Sequence, residues 1–188
     1  MSLQEQNTAL ILIDIQKGFD DEKYWGGNRN NKGAEKRCAI ILKKWRELGL
    51  PIFHIVHSSK NPLSKLHESH PGFEIKDEVK PIDGEPIIKK DVNSAFIGTD
   101  LKERLDSQKI NKLVIVGLTT NHCISTTTRM AGNFGFDTLL ISDATATFDR
   151  IGINGERFDA EIIHQTTLAN LHNEFAQVID TGKLLELV

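Results

Sequence analysis

Residues 112–144 read KLVIVGLTTNHCISTTTRMAGNFGFDTLLISDA. The opening run, KLVIVG, is apolar without polar alternation, the signature of a strand covered on both faces. The closing run, DTLLISDA (Asp137 to Ala144), has the same character. Between them CISTTTRMAGNF is long enough for a helix, and it opens on a cysteine, Cys123. Two buried strands joined through a helix lie parallel in one sheet. This stretch therefore sets the fold class, and it raises the question of what a cysteine does at the end of a buried strand.

The same alternation extends in both directions. ALILID (Ala9 to Asp14) is a first buried strand. A helix follows from about Ala34 to Leu48, in which Cys38, Ile41, Leu42 and Trp45 share one face, and Gly49 and Pro51 stop it. Cys38 on that face reads as a small buried hydrophobe. PIFHIVH (Pro51 to His57) is the next strand, and residues 58–85 form a long excursion rich in Ser, Pro, Gly, His and charge. Excursions of that length in a compact domain are often functional. PIIKK (Pro86 to Lys90) is a short strand, and Thr99 is placed to cap a helix from Asp100 to about Gln108. A long helix is expected over roughly Glu156 to Glu174, and AQVID (Ala176 to Asp180) closes the sheet. The pattern predicts a single α/β domain over residues 1–188, a three-layer αβα, doubly wound, Rossmann-like arrangement around a mostly parallel sheet. Ligands of such sheets bind beyond the carboxyl ends of the strands.

Composition narrows the function classes. The chain has 188 residues, 39% hydrophobic and 26% charged, with a net charge of −3 and both signs interspersed. No basic block suits nucleic acid. No apolar stretch approaches the ~18 residues that span a bilayer. The N-terminus has neither a basic start nor a small-residue cleavage site, and there are only two cysteines, so a reduced, cytoplasmic setting is expected.

Three strand ends carry chemistry: Asp14, the pair Lys89 and Lys90, and Cys123. If their strands are neighbours, a carboxylate, an ammonium and a thiol meet at one rim. A thiol attacks as thiolate, which a lysine and a helix N-terminus favour. A carboxylate can take the thiol proton and return it to a leaving amine. Backbone N–H groups around Thr119 to Cys123 can hold an oxyanion. Spacing alone leaves alternatives open. An Asp in this position also marks phosphate- and metal-binding domains, a strand-end lysine is commonly a solvated edge charge, and a cysteine at a helix start is often merely packed.

Taken together, three segments resemble the isochorismatase-like cysteine hydrolase family, which includes nicotinamidases and N-carbamoylsarcosine amidohydrolases. ALILIDIQKGF resembles its opening strand, with Asp14, Gln16 and Phe19 at the family's offsets. IIKKDVNSAFIGTDL resembles its lysine segment, where counting back from Ser94 selects Lys90 rather than Lys89. VGLTTNHCISTTTRMAGNFGFDTLLISDATATF resembles its nucleophile segment. The resemblance implies Cys123 as nucleophile, Asp14 as proton shuttle and Lys90 as the cation that stabilises the thiolate. It also implies a cis peptide between Leu118 and Thr119 that turns the Thr119 N–H inward beside that of Cys123, forming an oxyanion hole. A small amide or urea-like C–N substrate is implied, because the isochorismatases that cleave a vinyl ether lack the cysteine. A homo-oligomer is expected on the same analogy.

One departure bears on metal. Nicotinamidases carry an Asp followed by spaced histidines after the second strand, and PIFHIVHSSKNPLSKLHESH lacks that Asp. His54 and His57 should face opposite ways. His67 and His70 could pair, with no clear third ligand. No metal and no other cofactor is expected. The rival readings are a metal-dependent nicotinamidase-type member and a non-catalytic α/β binding or regulatory domain.

Among other residues, Phe19, Trp25 and Asn121 are expected to touch substrate. Trp25 stands out because it lies in a glycine-rich loop, DEKYWGGNRNNKG. Phe96 is a further wall candidate that core packing explains equally well, and His122 could contact substrate or satisfy local backbone. Arg129 is expected to pair with a carboxylate, His164 and His172 to lie at the surface or an interface, and Asp143 to hold a loop or a cap.

Overall fold

Five consecutive buried residues, Ala9–Ile13, form β1, with neither face open to water. The structure, a computed structural model, describes residues 3–188. In chain order β1 is followed by a one-turn helix α1 (Glu22–Trp25), α2 (Ala34–Leu48), β2 (Ile52–His57), β3 (Ile87–Lys90), α3 (Leu101–Ser107), β4 (Lys112–Leu118), α4 (Ser125–Asn133), β5 (Asp137–Ala146), β6 (Arg150–Ile151), β7 (Arg157–Phe158), α5 (Ala160–Leu171), β8 (Gln177–Ile179) and α6 (Thr181–Glu186). Six strands make one sheet in the order β3-β2-β1-β4-β5-β8, and every pairing in it is parallel. The order reverses direction between β1 and β4, so a crevice opens there beyond the strand ends.

Two apolar layers cover the sheet. On one face Leu10, Leu12, Val114, Val116, Leu139 and Ile141 pack against Cys38, Ile41, Leu42 and Trp45 of α2 and Leu184 of α6. The alternate residues of the same strands, such as Ile11, Ile13, Ile55 and Ile115, pack against Leu101 and Leu105 of α3, Ala131 of α4 and Leu168 and Leu171 of α5. Cys38 is 1% exposed, and its thiol donates to the Ala144 carbonyl at 3.2 Å, so it is a packed residue. Gly49 ends α2 in the left-handed region, with φ 63°.

Several boundaries differ from expectation. The last long helix covers Ala160–Leu171 only. Its first N–H is taken by the Asp149 carboxylate at 2.7 Å, and the residues just before it are used in the antiparallel β6–β7 hairpin. A terminal helix, α6, follows the closing strand, capped by Asp180 Oδ1 accepting from Lys183 N. The third helix begins at Leu101, with Asp100 as its cap residue; Thr99 caps it as expected, its hydroxyl accepting from Leu101 N at 3.5 Å and donating to the Ala95 carbonyl at 2.5 Å. Cys123 does not open an α-helix directly. It sits in a π turn, Thr120–Ile124, that leads into α4, and such turns recur at functional sites.

The excursion over 58–85 is ordered by backbone contacts, and residues 74–76 run back along 15–17. Lys17 N donates to the Glu74 carbonyl and Lys76 N to that of Ile15. Gln16, fully buried, fixes the loop base: its amide donates to the carbonyls of His57 (3.1 Å) and Phe73 (2.9 Å) and accepts from His57 N. Asp143, at the far end of the sheet, accepts from both N and Oγ1 of Thr181, which is the loop-holding role expected of it. Among the described residues no helix is long and apolar enough to cross a membrane.

Candidate active site

Close approach of two strands builds the centre. Gly117 of β4 lies opposite Ile13 of β1, at φ +124°, and a Cβ there would stand 2.0 Å from the Ile13 carbonyl oxygen. Only glycine permits that contact. It brings Asp14, the residue after β1, beside the segment Leu118–Cys123, and the Leu118–Thr119 peptide is cis. Asp14 itself has φ 53°, a left-handed conformation that aspartate tolerates better than most residues.

Lys90, at the end of β3, reaches across β2 into this point. Its Nζ donates to Asp14 Oδ2 at 2.6 Å and to Cys123 Sγ at 3.4 Å, and His57 Nδ1 lies 3.2 Å away. The Lys90 and Asp14 side chains are both fully buried. Burial opposes the charge on Lys90, but the neighbouring Asp14 and Cys123 outweigh it and hold the ammonium above its usual range. Burial and the Asp14 carboxylate push the Cys123 thiol far up, against the opposing pull of Lys90. Lys90 pulls toward the thiolate, the direction expected of it, while burial and Asp14 pull the other way. Burial, then Lys90, depress His57, so its ring is a neutral acceptor for the ammonium. The second carboxylate oxygen, Asp14 Oδ1, is buried with no hydrogen-bond partner among the described residues. An acceptor desolvated and left unpaired is costly, and it is a place where a proton can be received.

These groups line a cavity of about 410 Å³. Phe19 and Trp25 are in its wall, as expected, and Tyr24, Leu66 and Phe148 join them. Phe19 and Trp25 lie 4.7 Å apart between centroids, and Phe148 is 6.2 Å from Phe19. The Trp25 indole N–H donates to the Gly18 carbonyl at 2.8 Å, which fixes the ring. Thr119 and His122 also line the cavity, whereas Asn121 does not: its Oδ1 accepts from the Thr147 hydroxyl at 2.5 Å, turning the amide toward β5. Phe96 does not line it either and packs against Phe134 and Phe136. Asn93, Phe148 and Arg150 do, and the sequence reading passed over all of them. Asn93 could have been found, since it lies three residues after Lys90. Phe148 and Arg150 follow an ordinary strand and carry no local signal.

Two further residues sit elsewhere than expected. His164 is 2% exposed, not at the surface, and its Nδ1 lies 2.9 Å from Thr120 Oγ1, locking the π turn from behind. Among the described residues Arg129 meets no carboxylate; its guanidinium lies over the Phe175 ring, 4.7 Å from the centroid. His172 is exposed, as expected.

The donor set bears on metal. His54 Nε2 is 2.9 Å from Glu85 Oε2, while His67 and His70 are engaged in local turns. Asp14, His57 and Cys123, by contrast, present ligand atoms within 4.8 Å of one another, a grouping the sequence reading did not make. The Lys90 ammonium lies against all three, so a resident cation would have to displace a buried, ion-paired side chain. The residues do not fit a resident metal.

Comparison with known proteins gives consistent matches over the whole fold. A family model described as Isochorismatase domain matches residues 8–183. An uncharacterized isochorismatase-family protein of Bacillus subtilis is 52% identical over 181 residues, covering 96% of this chain and 96% of its own. Nicotinamidase 3 of Arabidopsis thaliana is 32% identical over 189 residues, covering 94% of this chain and 86% of its own. A solved structure of an isochorismatase-family protein from Chromobacterium violaceum matches with a TM-score of 0.92 at 41% identity, covering 96% of this chain and 92% of that one.

Proposed function

This chain belongs to the isochorismatase family, and we propose that within it the protein is a cysteine hydrolase that cleaves the C–N bond of a small amide-like substrate through a thioester on Cys123. The observation that carries this reading is the contact chain Cys123 Sγ–Lys90 Nζ–Asp14 at the floor of one cavity, with Asp14 Oδ1 free to accept a proton. The likeness to a plant nicotinamidase supports an amide as the scissile group. The aspartate that opens the nicotinamidase metal site is missing from residues 51–70, although His54, His57, His67 and His70 lie there.

The geometry supports these steps. As Sγ attacks the carbonyl carbon, its proton passes to Asp14, so the nucleophile forms only in the presence of substrate. Lys90 holds the carboxylate in place and offsets the negative charge developing on sulfur. The carbonyl oxygen, now an oxyanion, takes hydrogen bonds from the backbone N–H groups of Thr119 and Cys123. Collapse breaks the C–N bond, and Asp14 returns its proton to the departing amine. A water then gives its proton to Asp14 and adds to the thioester. The C–S bond breaks, the acid leaves, and the proton returns to sulfur.

The test is a panel of small amides and ureides assayed for ammonia or amine release, with Cys123→Ala as control and mass spectrometry of the acid-quenched enzyme. The expected result is Cys123-dependent turnover and an acyl adduct on the Cys123 peptide. Turnover that survives in Cys123→Ala would overturn the mechanism.

A further inference from the structure

The charges lining the cavity do not cancel. Of the groups that can carry charge there, Asp14 is paired with Lys90. His57 and His122 are both held below their usual range by burial first, and then by Lys90 and Arg150 respectively, so both rings are neutral. Arg150 remains, and it fixes the sign of the field in the cavity.

Its lack of a partner is unusual within this protein. Arg29, Arg37, Arg46, Arg104 and Arg157 each pair with a carboxylate, and Arg129 stacks on Phe175. Arg150 makes no ion pair among the described residues. The nearest acid in sequence, Asp149, is already saturated. It is bound by Arg157, by Asn28 Nδ2 at 3.1 Å and by Ala160 N at 2.7 Å. The position of Arg150 is also fixed, because β6 is paired to β7 and the preceding Phe148 is bridged to Arg29. An unpaired arginine on open surface needs no ligand. Arg150 is exposed to solvent but also lines a cavity whose other charges are neutralised, and there it is set to receive an anion, its guanidinium geometry suiting a carboxylate.

We propose that Arg150 is a specificity-determining residue that binds a carboxylate on the substrate, so the substrate is a small amide bearing a second, ionised acid group. The proposal rests on the cysteine hydrolase reading and names its substrate class. The aromatic wall of Phe19, Trp25 and Phe148 covers the apolar part of the molecule.

The experiment compares near-isosteric pairs: succinamate with succinamide, and glutaramate with glutaramide. Turnover is measured with wild-type enzyme, Arg150→Gln and Arg150→Glu, and binding to Cys123→Ala is measured by calorimetry. Wild type should favour the acid member by about 10- to 100-fold in kcat/KM, the range of a charge-assisted hydrogen bond. The ratio should fall to about one in Arg150→Gln and invert in Arg150→Glu, mostly through KM. The preference should also weaken as salt is raised. Cys123-dependent turnover with an acid-to-diamide ratio unmoved by Arg150→Gln overturns the proposal and leaves the hydrolase reading standing. Selective, Arg150-dependent binding of the acids without Cys123-dependent turnover supports the anion site and overturns the hydrolase reading. Absence of Arg150-dependent binding by either acid overturns the proposal outright.

Discussion

Glu35→Gln should cost this protein about 3 kcal/mol or more at neutral pH, on two grounds that read the same contacts. Glu35 Oε1 accepts from Arg29 Nη1 at 2.8 Å and from Lys76 Nζ at 2.6 Å, and Oε2 accepts from Arg29 Nη2 at 2.7 Å. The three side chains are 9%, 6% and 6% exposed. Glutamine keeps the shape, removes the charge between two buried cations and turns a donor toward a donor. Breaking a buried ion pair on one side costs about 3–5 kcal/mol. The second ground is the titration. Burial would raise the Glu35 pKa, but Arg29 and Lys76 overcome it and bring it from its usual 4.5 to about 2. At about 1.4 kcal/mol per pH unit that corresponds to roughly 3 kcal/mol. The folded value is the lower one, so the contribution is complete above pH 4.5 and is lost as pH falls toward 2. At about 2–4 °C per kcal/mol, Tm should fall by about 6–20 °C at pH 7. The gap between wild type and variant should shrink to about half or less by pH 3. Urea titrations at the two pH values read both numbers. A gap below about 1 kcal/mol at pH 7, or one that does not narrow on acidification, would refute the reasoning. Lys76 also holds Asp20 next to Phe19, so the variant should raise KM more than it lowers kcat.

Asp14→Asn should make Cys123 react with iodoacetamide faster at neutral pH while abolishing turnover, since it removes the carboxylate that disfavours thiolate and leaves Lys90; slower labelling across the pH range would contradict this balance. Lys90→Met should lower stability by about 3–5 kcal/mol by stranding the buried Asp14 carboxylate, and a Tm equal to wild type would argue against a charged pair there. Burial lowers the pKa of His54, His57, His122 and His164. The unfolded chain therefore binds more protons below about pH 6.5, and Tm should drop between pH 7 and 5; a flat or rising Tm would exclude this.

What could be read from the sequence was whatever depends on chain-local pattern. Asp14, Lys90 and Cys123 each end or follow an apolar run, and a parallel sheet puts such ends at one rim. Trp25 was legible because a large ring in a glycine-rich loop must cover something. The illegible residues depend on docking between distant segments. His164 faces inward because α5 docks behind the π turn, and no spacing within α5 encodes that contact. Arg129 met Phe175 because the chain after α5 returns over α4. The charge balance at Cys123 was illegible because it rests on two opposed charges whose distances no sequence carries. Asn121 was drawn to Thr147, the residue just past a strand whose length, Asp137–Ala146, was underestimated.

The strand order β3-β2-β1-β4-β5-β8 has this sheet's first three strands in sequence on one side and its last three on the other. The seam between β1 and β4 is thus also a seam in the sequence, and the exposed turn at Gly98, with φ +69°, lies between the two halves. Dividing the gene there would put Asp14 and Lys90 on one polypeptide and Cys123 on the other. Neither piece could turn over substrate alone, and their reassociation would be reported by the chemistry itself, making the protein a candidate two-part sensor whose signal is its own product.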